Sequence, residues 1–128
     1  MPSAAYRFSI NGENTVSDYV DWPGKSGKTY RYWFLTNPTA AGIKAEAGNY
    51  AFVKRLANGN YLPVYFGQAD DLQARVPGHE RWTDCVRAGA THVMAHLTPG
   101  GQQVRCDEER DLIQQWNPAC NVQHRKVS

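Results

Sequence analysis

The sequence predicts an α/β (α+β) domain, a small antiparallel sheet with helices packed on it. Three observations carry that prediction. Residues Gly48–His79, GNYAFVKRLANGNYLPVYFGQADDLQARVPGH, hold two alternating apolar runs either side of Asn58-Gly59, a pair whose positions both tolerate positive φ in a hairpin turn. The apolar period then lengthens from two to about 3.6 over Gln68–Val76 and again over Val104–Trp116, the spacing of amphipathic helices. A third run of strand composition, Thr91–Leu97, lies between them.

Size and charge narrow the classes. The chain has 128 residues, 41% hydrophobic and 12% aromatic, one globular domain able to bury roughly 65–70% of its unfolded surface. Fourteen basic and twelve acidic residues leave a net charge of +2, which excludes a strongly basic DNA-coating protein and still permits a local basic patch. No apolar run approaches the roughly 20 residues of a membrane helix. The start, MPSAAYRFSI, lacks the basic end and long apolar centre of a secretory signal. Cys85, Cys106 and Cys120 are odd in number and without CxxC spacing, so reduced thiols in a cytoplasmic protein are expected.

In chain order, residues 1–47 form an N-terminal elaboration packed on the main unit. Tyr6–Ile10 and Thr29–Leu35 have strand composition, with turns at Asn11-Gly12 and Pro23-Gly24. Asn37-Pro38 caps a short helix over Thr39–Ala45. The stretch Trp22–Thr29, WPGKSGKT, imitates a phosphate-binding loop but holds Trp22 where the pattern needs glycine, and no βαβ unit follows it. It reads as a flexible basic turn.

In the hairpin, a two-residue loop sets Ala57 against Asn60, Phe52 against Tyr65 and Tyr50 against Gly67. Tyr50 and Tyr65 then leave the same face as diagonal neighbours, roughly 7–8 Å apart at the backbone. Pro63 has no donor and belongs at an edge or a bulge. A helix over Gln68–Val76 carries Ala69, Leu72 and Val76 inward and ends at Pro77-Gly78. Trp82, Cys85 and Val86 mark a second helix closed by Gly89. In the last helix, Cys106, Glu109, Leu112, Ile113 and Trp116 form one stripe interrupted by a single acid, with Glu108 and Arg110 pointing elsewhere. An inward carboxylate is costly unless it is paired or holds a cation.

These residues resemble the GIY-YIG nuclease superfamily. Gly48-Asn49-Tyr50 stands for its first motif and Tyr65-Phe66-Gly67 for its second, followed by Gln68, Leu72, Arg75 and His79. Glu109-Arg-Asp-Leu-Ile113 and then Asn117-Pro-Ala-Cys-Asn121 are similar to the family's glutamate helix and closing asparagine. The match runs over 48–121, leaving 122–128 as a tail. Asn49 and Phe66 depart from the usual isoleucines, both facing away from the tyrosines in this register. Pro77 interrupts the helix that would lead to His79.

The resemblance implies a GIY-YIG-type three-stranded antiparallel sheet flanked by helices, extended at its N-terminus. It also implies hydrolysis of DNA phosphodiester bonds with one divalent metal, Mg2+ or Mn2+. Its catalytic set maps onto Tyr50, Tyr65, Arg75, His79, Glu109 and Asn121. Glu109 would be the one protein ligand, which suits an ion that keeps several waters. Asp70, Asp71, Asp107 and Asp111 do not share its stripe, which disfavours a two-metal site. Arg75 would hold the phosphate as a fork; taken alone, it is a surface arginine paired with Asp71. Tyr50 would activate water, as base or only by orienting it, with Tyr65 positioning water or phosphate. His79 would assist proton transfer or contact phosphate. Asn121 would fix the glutamate helix or a phosphate. His92 and His96, about 13 Å apart on a strand, do not make a zinc site. The rival expectations are a non-catalytic nucleic-acid-binding module and a partner-binding structural protein. Specificity would come from the N-terminal elaboration, a homodimer or a protein partner.

Overall fold

A computed structural model describes residues 19–35 and 42–121. Five antiparallel strands form one sheet: β1 (Tyr19–Pro23), β2 (Thr29–Phe34), β3 (Gly48–Arg55), β4 (Tyr61–Ala69) and β5 (His92–Leu97), in the order β1-β2-β5-β3-β4. The expected three strands are therefore five. The additional pair is the β1–β2 hairpin, which does not pack over the sheet but extends it, through Trp33 opposite Ala95 and Phe34 opposite Met94. Strand composition in that region was legible; its partner was not, because pairing is a tertiary choice.

The central hairpin keeps the expected pairs Phe52–Tyr65 and Tyr50–Gly67 by two compensating departures. Its loop is one residue longer than expected: Leu56 N–H donates to the Asn60 carbonyl at 2.7 Å, and Gly59 closes the turn at φ +90°, as three-residue loops require. Arg55 thus faces Tyr61 and Val53 faces Pro63. The register shift between Phe52 and Val53 then absorbs Val64 as a bulge and restores the pairing. Pro63 sits on an edge strand beside that bulge, where its missing donor does no harm.

Alternation divides the side chains cleanly. Tyr50, Phe52, Tyr65, Val93 and Ala95 pack on one face with Leu72, Val76 and Cys85, residues of or beside the short helices α1 (Leu72–Arg75) and α2 (Trp82–Arg87). Val20, Trp22, Tyr32, Ala51, Val53, Phe66 and Met94 pack on the other with Leu112, from the long helix α3 (Gln102–Trp116). A 3-10 turn, Ala119–Asn121, follows.

Four local expectations need correction. Gln68 and Ala69 belong to β4, because Gly48 and Asn49 continue the ladder opposite them. Residues 42–45 are not α-helical; Tyr6–Ile10, Asn11-Gly12, the start of the expected 39–45 helix and the tail 122–128 lie outside the described residues. The Trp22–Thr29 turn is anchored: Asp111 of α3 accepts from Ser26 N at 2.8 Å, Ser26 Oγ at 2.6 Å and Tyr30 Oη at 2.7 Å. Glu108, expected to point away, is 5% exposed and lies with Arg105 and Leu112 on the inner face of α3.

Candidate active site

The register fixes where the two phenols meet. Tyr50 lies opposite Gly67, and its ring folds across that glycine, where a Cβ would stand 2.5 Å from the hydroxyl. The third residue of the second motif is thus glycine for a steric reason. Tyr50 and Tyr65 ring centroids are 6.2 Å apart, both rings are almost fully buried, and their hydroxyls are hydrogen-bonded to each other.

His79 joins them despite Pro77. Val76 ends α1 and the Pro77-Gly78 turn, with Gly78 at φ +69°, brings the histidine back over the phenols. Its ring is 4% exposed, and Nε2 lies 2.7 Å from Tyr50 Oη. The Arg81 amide donates to Nδ1 at 3.0 Å, which leaves the imidazole proton on Nε2. His79 Nε2–H then donates to Tyr50 Oη, which also shares a hydrogen bond with the Tyr65 hydroxyl. Burial raises both phenols above their ordinary value of 10.0, while Arg75, and for Tyr65 also Arg81, pull the other way.

Arg75 ends α1 with its charge bearing on both phenols. It does not pair with Asp71, which caps α1 by accepting from Ala74 N at 3.2 Å. Its partner is Glu80: Nη1 to Oε1 at 2.7 Å and Nη2 to Oε2 at 3.0 Å.

The helix that carries Glu109 is held to the sheet through its neighbour Glu108. Glu108 accepts from Tyr32 Oη at 2.8 Å and meets His96 Nε2 at 2.5 Å. Asn49 Nδ2 grips the Arg105 carbonyl at 3.0 Å while its Oδ1 accepts from Thr98 Oγ1 at 2.7 Å. These contacts press one face of α3 to the sheet and fix the turn that carries the next residue, Glu109. The Glu109 carboxylate bears electrostatically on Tyr50 and Tyr65. Burial pushes its own carboxyl from 4.5 up to about 7, with only Arg110 opposing, and among the described residues it has no ion-pair partner. A half-buried carboxylate lacking a counter-charge suits a hard divalent cation. Among the described residues no three His, Cys, Asp or Glu side chains converge.

Asn121 is engaged with the backbone of β4. Its Oδ1 accepts from Phe66 N at 2.9 Å and its Nδ2 donates to Phe66 O at 3.1 Å, so a buried amide substitutes for the missing strand beside β4. Both ends are used, and the glutamate helix and a phosphate are left to other groups. The sequence also gave no warning of the Tyr32–Glu108–His96 cluster or of Asn49 as a clamp. Arg105, Glu108 and Leu112 do lie at i, i+3 and i+7, a spacing that a count of apolar residues alone passes over.

Comparison with solved structures places the fold. The chain is similar to the GIY-YIG N-terminal endonuclease domain of UvrC from Thermotoga maritima, bound to its catalytic magnesium. The TM-score is 0.50 at 21% identity, over 62% of this chain and 86% of that one. Two point variants of that domain align over the same shares with a TM-score of 0.49, at 21% and 23% identity. No family model and no curated protein matches the sequence. The fold is that of the GIY-YIG superfamily. No described helix is long and apolar enough to cross a membrane.

Proposed function

We propose that this domain is an endonuclease that hydrolyses DNA phosphodiester bonds with the help of one divalent cation, magnesium or manganese. The observation that supports the proposal is the Tyr50–Tyr65–His79 cluster, on whose phenols the charges of both Arg75 and Glu109 bear. Glu109, 59 positions after Tyr50, is a half-buried acid with no ion-pair partner among the described residues. Glu109 would hold the cation, which when bound supplies positive charge to the phosphate oxygens and acidifies water.

The remaining work falls to the chain itself. Arg75 contributes a charge present at every working pH and a planar fork for two phosphate oxygens. Tyr50 is joined by hydrogen bonds to both His79 and Tyr65. Burial raises both phenols and Glu109 adds to this, while Arg75 lowers both and Arg81 lowers Tyr65. Tyr50, which His79 contacts directly, would activate the attacking water, as base or by orienting it, with Tyr65 positioning water or phosphate. The burial of both rings keeps bulk water from competing at the phenol oxygens. Asn121 acts through β4, by fixing the backbone beside Tyr65.

Supercoiled plasmid incubated with the protein, with and without Mg2+, beside Glu109→Ala, tests the proposal. Nicking or linearisation by the parent alone, and only with metal, supports it. A gel shift without cleavage would instead support a binding module, and neither response would support a partner-binding protein.

A further inference from the structure

In the site proposed above, the guanidinium assigned to the phosphate is already engaged. Arg75 donates from Nη1 and Nη2 in parallel to both oxygens of Glu80, at 2.7 and 3.0 Å. Two nitrogens meet two oxygens of one anion, the fork that the non-bridging oxygens of a phosphodiester would occupy. Glu80 is no part of the motif that the sequence resembles, and spacing did not single it out. It sits directly after His79 in the turn between α1 and α2.

We propose that Glu80 is a built-in surrogate for the substrate phosphate: it holds the Arg75 fork formed and is displaced when a phosphodiester binds, thereby setting the site's affinity for oxyanions. This rests on the assignment of Arg75 to the phosphate. The pair lies at the surface, with side chains 39% and 66% exposed, and exposed pairs are weak enough to exchange partners. Rotation of an exposed glutamate moves no packed element. Arg75 holds the Glu80 carboxyl down to about 2, so pH does not release it, and only a competing anion does. Small solution anions must compete against an intramolecular carboxylate. A polyanion held at several points, with a cation at Glu109, displaces it more readily.

The test uses the full chain and Glu80→Gln, with Glu80→Ala as a second variant and both repeated on Arg75→Ala. Inorganic phosphate is titrated by calorimetry without metal, and KM is measured on plasmid with Mg2+. Phosphate affinity should rise roughly threefold to tenfold in either Glu80 variant, with KM falling in the same direction. The gain should vanish when Arg75 is absent. Weaker or unchanged phosphate binding in both Glu80 variants would overturn the proposal and make Glu80 an orienting partner of Arg75. A gain that persists without Arg75 would also overturn it, as a nonspecific charge effect. Absence of cleavage in every protein would sink the nuclease assignment alone, because the phosphate titration needs no turnover.

Discussion

Replacing Glu109 by glutamine should stabilise the protein while abolishing its activity. The folded protein holds the Glu109 proton up to about pH 7, against 4.5 for the ordinary group. Over that interval the folded state keeps a proton that the unfolded state has lost, so stability falls as pH rises from about 4.5 through about 7. Below about 4.5 both states are neutral and the penalty disappears. The interval corresponds to at most about 3 kcal/mol, and partial access of solvent reduces this to about 1–2 kcal/mol. Glutamine keeps the shape and removes the charge. Thermal unfolding in EDTA at pH 8 should therefore show Glu109→Gln melting roughly 3–8 °C above the parent, with the gap closing near pH 4. Magnesium should raise the melting temperature of the parent and not that of the variant. A variant that melts below the parent at pH 8 would refute the reasoning, since the carboxylate would then have a favourable partner in the metal-free protein.

Three other perturbations have definite outcomes. Tyr50→Phe should lower kcat by roughly 10²–10⁴, and Tyr65→Phe should also lower it; full activity in Tyr50→Phe would contradict the role of the phenol that His79 contacts. Gly67→Ala places a methyl against the Tyr50 ring and should cost about 1–3 kcal/mol together with cleavage, whereas an unaltered melting temperature would show that the ring does not lie there. Asn121→Ala leaves the Phe66 N–H and C=O unpaired at a buried edge. It should cost about 2–3 kcal/mol and speed hydrogen exchange at the Phe66 amide; unaffected exchange would mean another group caps the strand.

The parts of the fold legible in the sequence were those set by local chemistry. Asn58-Gly59 and two alternating runs were enough to pair Phe52 with Tyr65 and Tyr50 with Gly67, although the pairing survived through a longer loop and a bulge that offset each other. Gly89, Pro77-Gly78 and Asn117 closed helices where turn chemistry places them. What escaped depended on groups far away in the chain. Arg105 and Glu108 look like exposed polar residues until Tyr32, Asn49, Gln68 and His96 supply their partners. The isoleucine-to-asparagine departure at Asn49 looked like a defect in the motif, yet it clamps the helix that carries Glu109. Arg75 was weighed against Asp71 along a helix, whereas α1 is only four residues long and the turn beyond it delivers Glu80 instead. The β1–β2 hairpin showed its strands but not which sheet edge it would join.

The account depends on a cation at Glu109 lying beside both phenols and Arg75. Paramagnetic broadening by substoichiometric Mn2+ reads that arrangement directly, with no need for turnover. The side-chain resonances of Tyr50, Tyr65 and Arg75 should broaden first in the parent and be spared in Glu109→Gln. Broadening centred elsewhere, or identical in the two proteins, would contradict the site.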